Sequence, residues 1–211
     1  MCIFAGGFLD FCHEFLAKLL YTSLTKLLHM SQKDYNKEIV LNLLKTTNHI
    51  RRLAKELQTN QMMISRKIKE LEQDNIVDYK QEGRNKAYFL KKTLEAQESV
   101  FIAEHYKLIR TVKEYPLLRN MILKIKTDPK IKLAVLFGSY AKGLAHKDSD
   151  IDIYIETVNK ELKKKIEQLN TKVSVKIGKY DPNSLLIKEI EKNHVILKGV
   201  EQYYEKNKFF D

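Results

Sequence analysis

Cysteine, proline and glycine are scarce in this chain, with 2, 3 and 7 among its 211 residues. Cys2 and Cys12 have no Cys or His companions at metal-ligand spacing. That excludes a disulfide framework and a structural zinc site, and it fits a reducing cytoplasm. With so few glycines and prolines there is no low-complexity tract, and those that occur serve as punctuation. An uninterrupted membrane-length apolar run is also missing. The opening stretch MCIFAGGFLDFCHEFLAKLLYTSLTKLLH is apolar, but Asp10, Glu14 and Lys18 break it and no basic segment precedes it. It reads as neither a signal peptide nor a spanning helix, so no membrane partner is expected. Phe8, Phe11, Phe15 and Leu19 would line one helix face. Well-patterned sequence begins directly after Met30, so residues 1–29 are set apart as an appendage, with translation starting at Met1 or Met30.

Charge is abundant and unbalanced. Lys and Arg number 38 against 27 Asp and Glu, a formal net charge of +11. A lysine-rich solvated surface would give such a total, and so would a partner that is a polyanion, most often nucleic acid. The location of the charge separates the two. Residues 31–92 hold 14 Lys and Arg against 8 Asp and Glu. More than half of the excess therefore lies in less than a third of the chain, which favours nucleic acid.

That same region is patterned as three helices and a hairpin. DYNKEIVLNLLKT carries Ile39, Leu43 and Leu44 at helical spacing. Asn48 stands as the N-cap of HIRRLAKEL, in which Ile50, Leu53 and Leu57 share a face. QMMISRKIKELEQDN places Ile64, Ile68 and Leu71 at i, i+4 and i+7. IVDYKQEGRNKAYFLK reads as two strands about a Glu-Gly-Arg-Asn turn. With Ile64, Ile68 and Leu71 facing a core, Gln61, Ser65, Arg66 and Lys69 face outward, suited to base edges and phosphates in a major groove. Arg84 and Lys86 sit near the hairpin tip. The stretch LAKELQTNQMMISRKIKELEQDNIVDYKQEGRNKAYFLK resembles the winged helix-turn-helix DNA-binding domains of bacterial and archaeal regulators. The resemblance rests on the Leu-Ala pair of the second helix, the Ser-Arg-Lys opening of the recognition helix and the Gly-Arg wing. It implies DNA as a partner, although the fold also serves as a protein–protein module.

Residues 93–127 read as a helical linker, TLEAQESVFIAEHYKLIRTVKEY followed by PLLRNMILKIK with Pro116 at its start. Phe101, Leu108 and Val112 form one stripe. Such a segment packs on its neighbours or pairs two chains into a homodimer.

Residues 128–211 read as a small α/β domain. IKLAVLF is an apolar run suited to a strand buried on both faces. Gly138 then allows a sharp turn, and Ser139 offers a hydroxyl and a backbone N–H at the start of a helix expected over Tyr140–Leu144. Lys142 and Lys147 add positive charge. Ten residues intervene after Ser139, and then Asp150 and Asp152 alternate with Ile151 and Ile153. Residues two apart on a strand project to one face, so the two carboxylates stand together while the isoleucines bury. Two carboxylates beside a phosphate turn suit Mg²⁺. A solvent-facing acidic strand edge is the structural alternative, but the joined pattern of apolar strand, Gly-Ser and Asp-Ile-Asp-Ile is far more specific.

Gly138, Ser139, Asp150 and Asp152 resemble the motif of the polymerase-β-type nucleotidyltransferase superfamily, in particular minimal members fused to a winged helix. That resemblance implies transfer of a nucleotide, AMP from ATP or another NTP, with Mg²⁺. Asp150 and Asp152 would be the catalytic metal ligands, and Gly138, Ser139 and Lys142 would contact the nucleotide. Minimal members often act as antitoxins that modify a toxin, so a protein acceptor is implied. The family usually carries a third carboxylate on the next strand. Here that strand is VSVKI, with Ser174 and Lys176 on one face and no acid. Glu156 lies about 13 Å along the strand from Asp152, and Asp181 falls beyond Gly178. His146 and His194 are assigned no catalytic role. The expected fold is therefore α+β: a winged helix-turn-helix, a helical linker and a small mixed-sheet nucleotidyltransferase-fold domain. The expected function is an Mg²⁺-dependent nucleotidyltransferase coupled to DNA binding. The alternative is a transcriptional regulator or antitoxin-like protein whose transferase domain senses a nucleotide with little or no turnover.

Overall fold

Helix α1 (Tyr35–Leu43) buries Ile39, Val40 and Leu43 at i, i+1 and i+4, the stripe that the sequence pattern requires. It opens the computed structural model of the chain, which describes residues 33–211. The appendage expected over residues 1–29, and Met30, lie outside the described residues. Helix α2 (Ile50–Glu56) and helix α3 (Gln61–Gln73) follow. Asn60 caps α3, its side chain accepting a hydrogen bond from the Met63 N–H at 2.8 Å. Strands β1 (Val77–Glu82) and β2 (Asn85–Leu90) pair antiparallel across a two-residue connection at Gly83-Arg84. Three helices and a two-stranded wing give the winged helix-turn-helix.

One local expectation is corrected. Asn48 does not cap α2; His49 occupies that position. Asn48 is buried and pairs its N–H and C=O with Tyr88, at 3.0 and 2.8 Å, as a one-residue third strand of the wing. Its side chain donates to Asn42 Oδ1 at 2.9 Å and to Glu56 Oε2 at 3.2 Å. Two buried backbone hydrogen bonds outweigh a cap worth about 1 kcal/mol.

Helix α4 (Leu94–Glu114) begins at the capping hydroxyl of Thr93. A 3₁₀ turn at Pro116–Leu118 leads into α5 (Arg119–Thr127), because Pro fixes φ and has no N–H to give to a continuing helix. A four-stranded sheet follows in the order β5-β4-β3-β6, built from β3 (Ala134–Phe137), β4 (Ile151–Glu156), β5 (Val173–Gly178) and β6 (Val195–Lys198). Strand β3 is antiparallel to both of its neighbours, while β4 and β5 run parallel, so the sheet is mixed. Between the strands lie α6 (Gly138–Ala141), α7 (Lys160–Glu167) and α8 (Leu185–Lys192), and α9 (Val200–Lys206) follows β6. The helix expected over Tyr140–Leu144 starts two residues earlier and ends at Ala141. Gly143, at φ +68°, turns the chain out of it.

The two faces of the sheet enter two different cores. Ala134, Leu136, Ile153, Ile155 and Val175 pack with Met121, Ile122, Leu162 and Ile166. Val135, Phe137, Tyr154 and Ile196 instead join the core of the winged helix, with Ile187, Ile190, Tyr203 and Tyr204 between them. Residues Tyr35–Asp211 accordingly form one compact unit. Helix α4 contributes to both cores, Phe101 to the second and Leu108 to the first.

A charge sits inside the shared core. Glu104 of α4 is 1% exposed. Its Oε1 accepts from the Tyr204 hydroxyl at 3.1 Å and lies 3.5 Å from His194 Nε2, and Lys107 Nζ stands 3.5 Å from Oε2. Burial by itself would push the Glu104 carboxyl up; the Lys107 ammonium and the contacts with His194 and Tyr204 outweigh it and hold the carboxyl down to about 2. Burial lowers the His194 imidazole below its ordinary value.

Removing the carboxylate leaves the half-buried Lys107 without its partner and the buried Tyr204 hydroxyl without its acceptor, so Glu104→Ala is expected to cost about 3–5 kcal/mol in urea unfolding. Both depressed groups bind fewer protons folded than unfolded. Stability should therefore fall as pH drops below 6.5, where the unfolded chain takes up the His194 proton, and fall again from 4.5 towards 2 as Glu104 is titrated. Unfolding curves at stepped pH check this, and His194→Gln should flatten the first descent.

Candidate functional site

The antiparallel ladder pairs Phe137, the last residue of β3, with Asp152 of β4. The chain must then turn off the sheet directly over that aspartate, and Gly138 makes the turn at φ +70°. A Cβ on Gly138 would stand 2.4 Å from Asp152 Oδ2. Glycine is thus required twice, for the left-handed backbone and for the approach of a carboxylate to the main chain. Ser139 follows, half-buried, and its carbonyl accepts from the Leu144 N–H at 3.0 Å. Of the expected residues, Gly138, Ser139 and Asp152 are brought together at one end of the sheet. Asp150 is exposed one residue before β4, and Asp152 is half-buried. Loop 146–149 is closed by the His146 N–H donating to Ser149 Oγ at 2.9 Å and the Ser149 N–H donating to the His146 carbonyl at 3.0 Å.

The field at Asp152 is unfavourable to its own charge. Burial, then the Asp150 carboxylate, push its carboxyl above the ordinary value; Lys176 opposes them and Glu189 adds to them. Lys176 belongs to β5, where Ser174 pairs with Asp152 and Lys176 with Tyr154. The strand beside the aspartates therefore presents a hydroxyl and an ammonium. Among the described residues, no group of three or more His, Cys, Asp or Glu is arranged to hold a metal ion. Glu156 is engaged elsewhere, accepting from Lys206 Nζ at 2.9 Å and from the Tyr180 N–H at 3.3 Å. Asp181 accepts from the Asn183 N–H at 3.0 Å in the turn before α8. His194 packs under α8, its Nδ1 2.9 Å from the Ile190 carbonyl.

Glu189 is the residue that sequence reasoning missed. It lies on α8, capped by Ser184, and forms an ion pair with Lys142 at 3.3 Å. Lys142 is thus engaged by an acid contributed from 47 residues downstream. No pattern links Glu189 to the Asp-x-Asp motif; only the packing of α8 over the sheet brings it near.

The second surface is basic. On α3, Ile64, Ile68 and Leu71 are buried, while Gln61, Arg66 and Lys69 are exposed and Ser65 is half-buried. Met62, 84% exposed, stands beside Gln61 at the helix start. Arg84 is exposed at the wing tip, and the Lys86 ammonium sits 3.6 Å from the centroid of the Tyr79 ring. Lys86 is therefore held against the wing, while Arg84 projects from it.

Residues 120–202 match the family described as "Polymerase beta, Nucleotidyltransferase". That segment runs from α5 to the start of α9 and contains Gly138, Ser139, Asp150 and Asp152. Over 38 residues the chain is 50% identical to the protein adenylyltransferase MntA of Shewanella oneidensis. The shared stretch spans 17% of this chain and 27% of that relative's length. Among solved structures, the adhesin competence repressor AdcR of Streptococcus pyogenes aligns with 52% of this chain and 82% of its own, at 20% identity and a TM-score of 0.38. A toxin–antitoxin complex with AMP-PNP aligns with 43% of this chain and 79% of its own, at 28% identity and a TM-score of 0.33. No helix of the described residues is long and apolar enough to cross a membrane.

Gly138→Ala tests the contact between turn and carboxylate. In the intact chain it should cost about 2–4 kcal/mol, from left-handed strain plus the clash with Asp152. In an Asp152→Ala background the cost should fall to about 1–2 kcal/mol, because the strain alone remains. Urea unfolding of the four members of the cycle reads the difference.

Proposed function

We propose that this chain transfers a nucleotide, AMP from ATP, to a hydroxyl of a protein acceptor, and that its winged helix holds it on DNA. The observation that carries the first part is the pressing of the Asp152 carboxylate against Gly138, with Asp150 beside it and Ser139 next along the chain. A like-charge pair in a half-buried place is costly alone and is relieved by a cation. The donors are two carboxylates, all oxygen. That set fits Mg²⁺, which takes one or two carboxylates and completes its shell with water and substrate phosphates. Asp150 and Asp152 would hold the ion, which when bound stabilises negative charge on the transferring phosphoryl group. Gly138 brings backbone close to the phosphates, and Ser139 offers its N–H and hydroxyl to them. The acceptor hydroxyl gives up its proton to solvent as its oxygen bonds to the α-phosphorus, the bond from that phosphorus to the β-phosphate bridging oxygen breaks, and pyrophosphate leaves. The family match over 120–202 supports the reaction class, and the likeness to a relative named as a protein adenylyltransferase supports AMP and a protein acceptor.

Lys176 favours a second reading. It stands on β5 beside the aspartates, the flank from which a further acid would serve the metal, and its ammonium competes with a cation. A site so built binds a nucleotide and turns it over slowly or not at all, making the protein a nucleotide-responsive regulator or an antitoxin-like partner.

Incubation of the full chain with Mg²⁺, ATP labelled at the α-phosphate and candidate acceptor proteins separates the two. Under the first reading label passes to protein, and Asp150→Asn/Asp152→Asn lowers the rate by about two orders of magnitude or more. Saturable ATP binding with no transfer to any acceptor establishes the second. Neither binding nor transfer overturns both. For the DNA reading, Arg66→Ala should cost about 1–3 kcal/mol and relax sequence preference, while Arg84→Ala should weaken all sequences alike and reduce the salt slope by about 1. Binding isotherms at stepped salt read both; unchanged isotherms would remove α3 and the wing from the interface.

A further inference from the structure

A cleft of about 740 Å³ opens where α1 and α4 meet α8 and α9. This volume is that of a small-molecule site. Neither aspartate of the transferase motif lines it, and neither do Gly138 or Ser139. Its floor is formed by the buried Glu104, His194, Tyr203 and Tyr204 and by the half-buried Lys107. Glu104 Oε2 and His194 Nε2 are fully buried in that floor and make no hydrogen bond.

The charges around the cleft do not cancel. Arg110 is paired with Glu38, Lys107 with Glu104, and Glu191 accepts from the Tyr180 hydroxyl at 2.8 Å. Glu38 and Glu104 are thereby neutralised, while Glu191, bonded to a neutral hydroxyl, keeps its charge. Lys45, Lys188 and Lys192 also line the cleft, and among the described residues they have no acidic partner. Lys188 and Lys192 are four apart on α8 and so share a face, and Lys45 lines the same cleft from just beyond the end of α1. Lys45 is close enough to Lys107 to depress its ammonium, an effect secondary to burial. Three ammonium groups against the one remaining carboxylate, Glu191, leave the concavity net positive, which favours an anion among them. Phe209 completes the lining with an aromatic ring, 5.9 Å from that of Tyr204 between centroids, and Lys92 Nζ stands 4.8 Å from its centroid. Lysines for phosphate and an aromatic surface for a base are the two parts of nucleotide recognition.

We propose that this cleft binds a nucleoside phosphate, its phosphates among Lys45, Lys188 and Lys192 and its base against Phe209, as a site separate from Asp150 and Asp152. Helix α8 is the wall common to both places: Lys188 and Lys192 line the cleft, and Glu189 reaches Lys142 on the transferase side. A ligand in the cleft touches elements of the winged helix and of the transferase at once.

The site is tested on the full chain carrying Asp150→Ala/Asp152→Ala, in EDTA, so that metal-dependent binding at the motif is removed. Calorimetric titration with AMP should give saturable single-site binding. Adding Lys188→Ala/Lys192→Ala should weaken it by about tenfold or more, with an unchanged thermal midpoint showing that these exposed positions do not support the fold. Absence of AMP binding in the aspartate variant, or binding indifferent to the lysines, overturns the site. Inorganic pyrophosphate binding as tightly as AMP overturns the nucleoside assignment. Transfer assays on the Lys188→Ala/Lys192→Ala chain with intact aspartates report on the motif alone, so failure of one reading is distinguishable from failure of the other.

Discussion

The burial of Glu104 constrains the rest of this structure. An ionised carboxylate that is 1% exposed survives only with partners, and its partners come from different parts of the chain. Lys107 is one turn along the same helix, Tyr204 is on α9, and His194 stands just before β6. The apolar groups around them, from Leu53 of the winged helix to Tyr154 of the sheet, form one continuous core. Apolar contact alone would tolerate sliding between packed surfaces. A buried carboxylate that must keep its contacts does not tolerate it, since each lost contact leaves a charge unsatisfied in a medium of low dielectric. The winged helix and the transferase-like sheet are therefore held in one register.

That register determines what surrounds the aspartates. The sheet turns Tyr154 and Val135 towards the shared core, and Asp152, two residues from Tyr154, points to the same side at the sheet's end. Helix α8 covers this side through Ile187 and Ile190. Glu189, between them, carries its charge to the rim, where it meets Lys142 and adds to the field at Asp152. The electrostatics of the motif are thus set by three elements: β4 and the residue before it for the aspartates, β5 for Lys176 and α8 for Glu189.

Local pattern made much of this legible. The stripes Ile39–Leu43 and Ile64–Ile68–Leu71 gave helices because their spacing allows one buried face, and the Gly-Arg connection marked the hairpin. The motif Gly138, Ser139, Asp150 and Asp152 lies within fifteen residues, and its local pattern placed Asp152 on a strand; Asp150, expected to alternate with it on that strand, stands one residue before β4. What was not legible depended on long-range pairing. Asn48 looks like a cap because capping is local; its pairing with Tyr88, forty residues away, is invisible until the wing folds back. The same holds for Lys142, whose partner is 47 residues distant. Glu104 reads as one more charge on an amphipathic helix, and only the arrival of α9 and β6 buries it.

Helix α8 links these observations physically. It has eight residues, and its side chains divide by position. Ile187 and Ile190 enter the core, Glu189 pairs with Lys142, and Lys188 and Lys192 line the cleft between α1 and α4. A rigid helix cannot move one of these sets without moving the others. Any phosphate that takes Lys142 from Glu189 leaves that acid unpaired beside Asp152, raising the cost of two neighbouring carboxylates and strengthening the case for a cation between them.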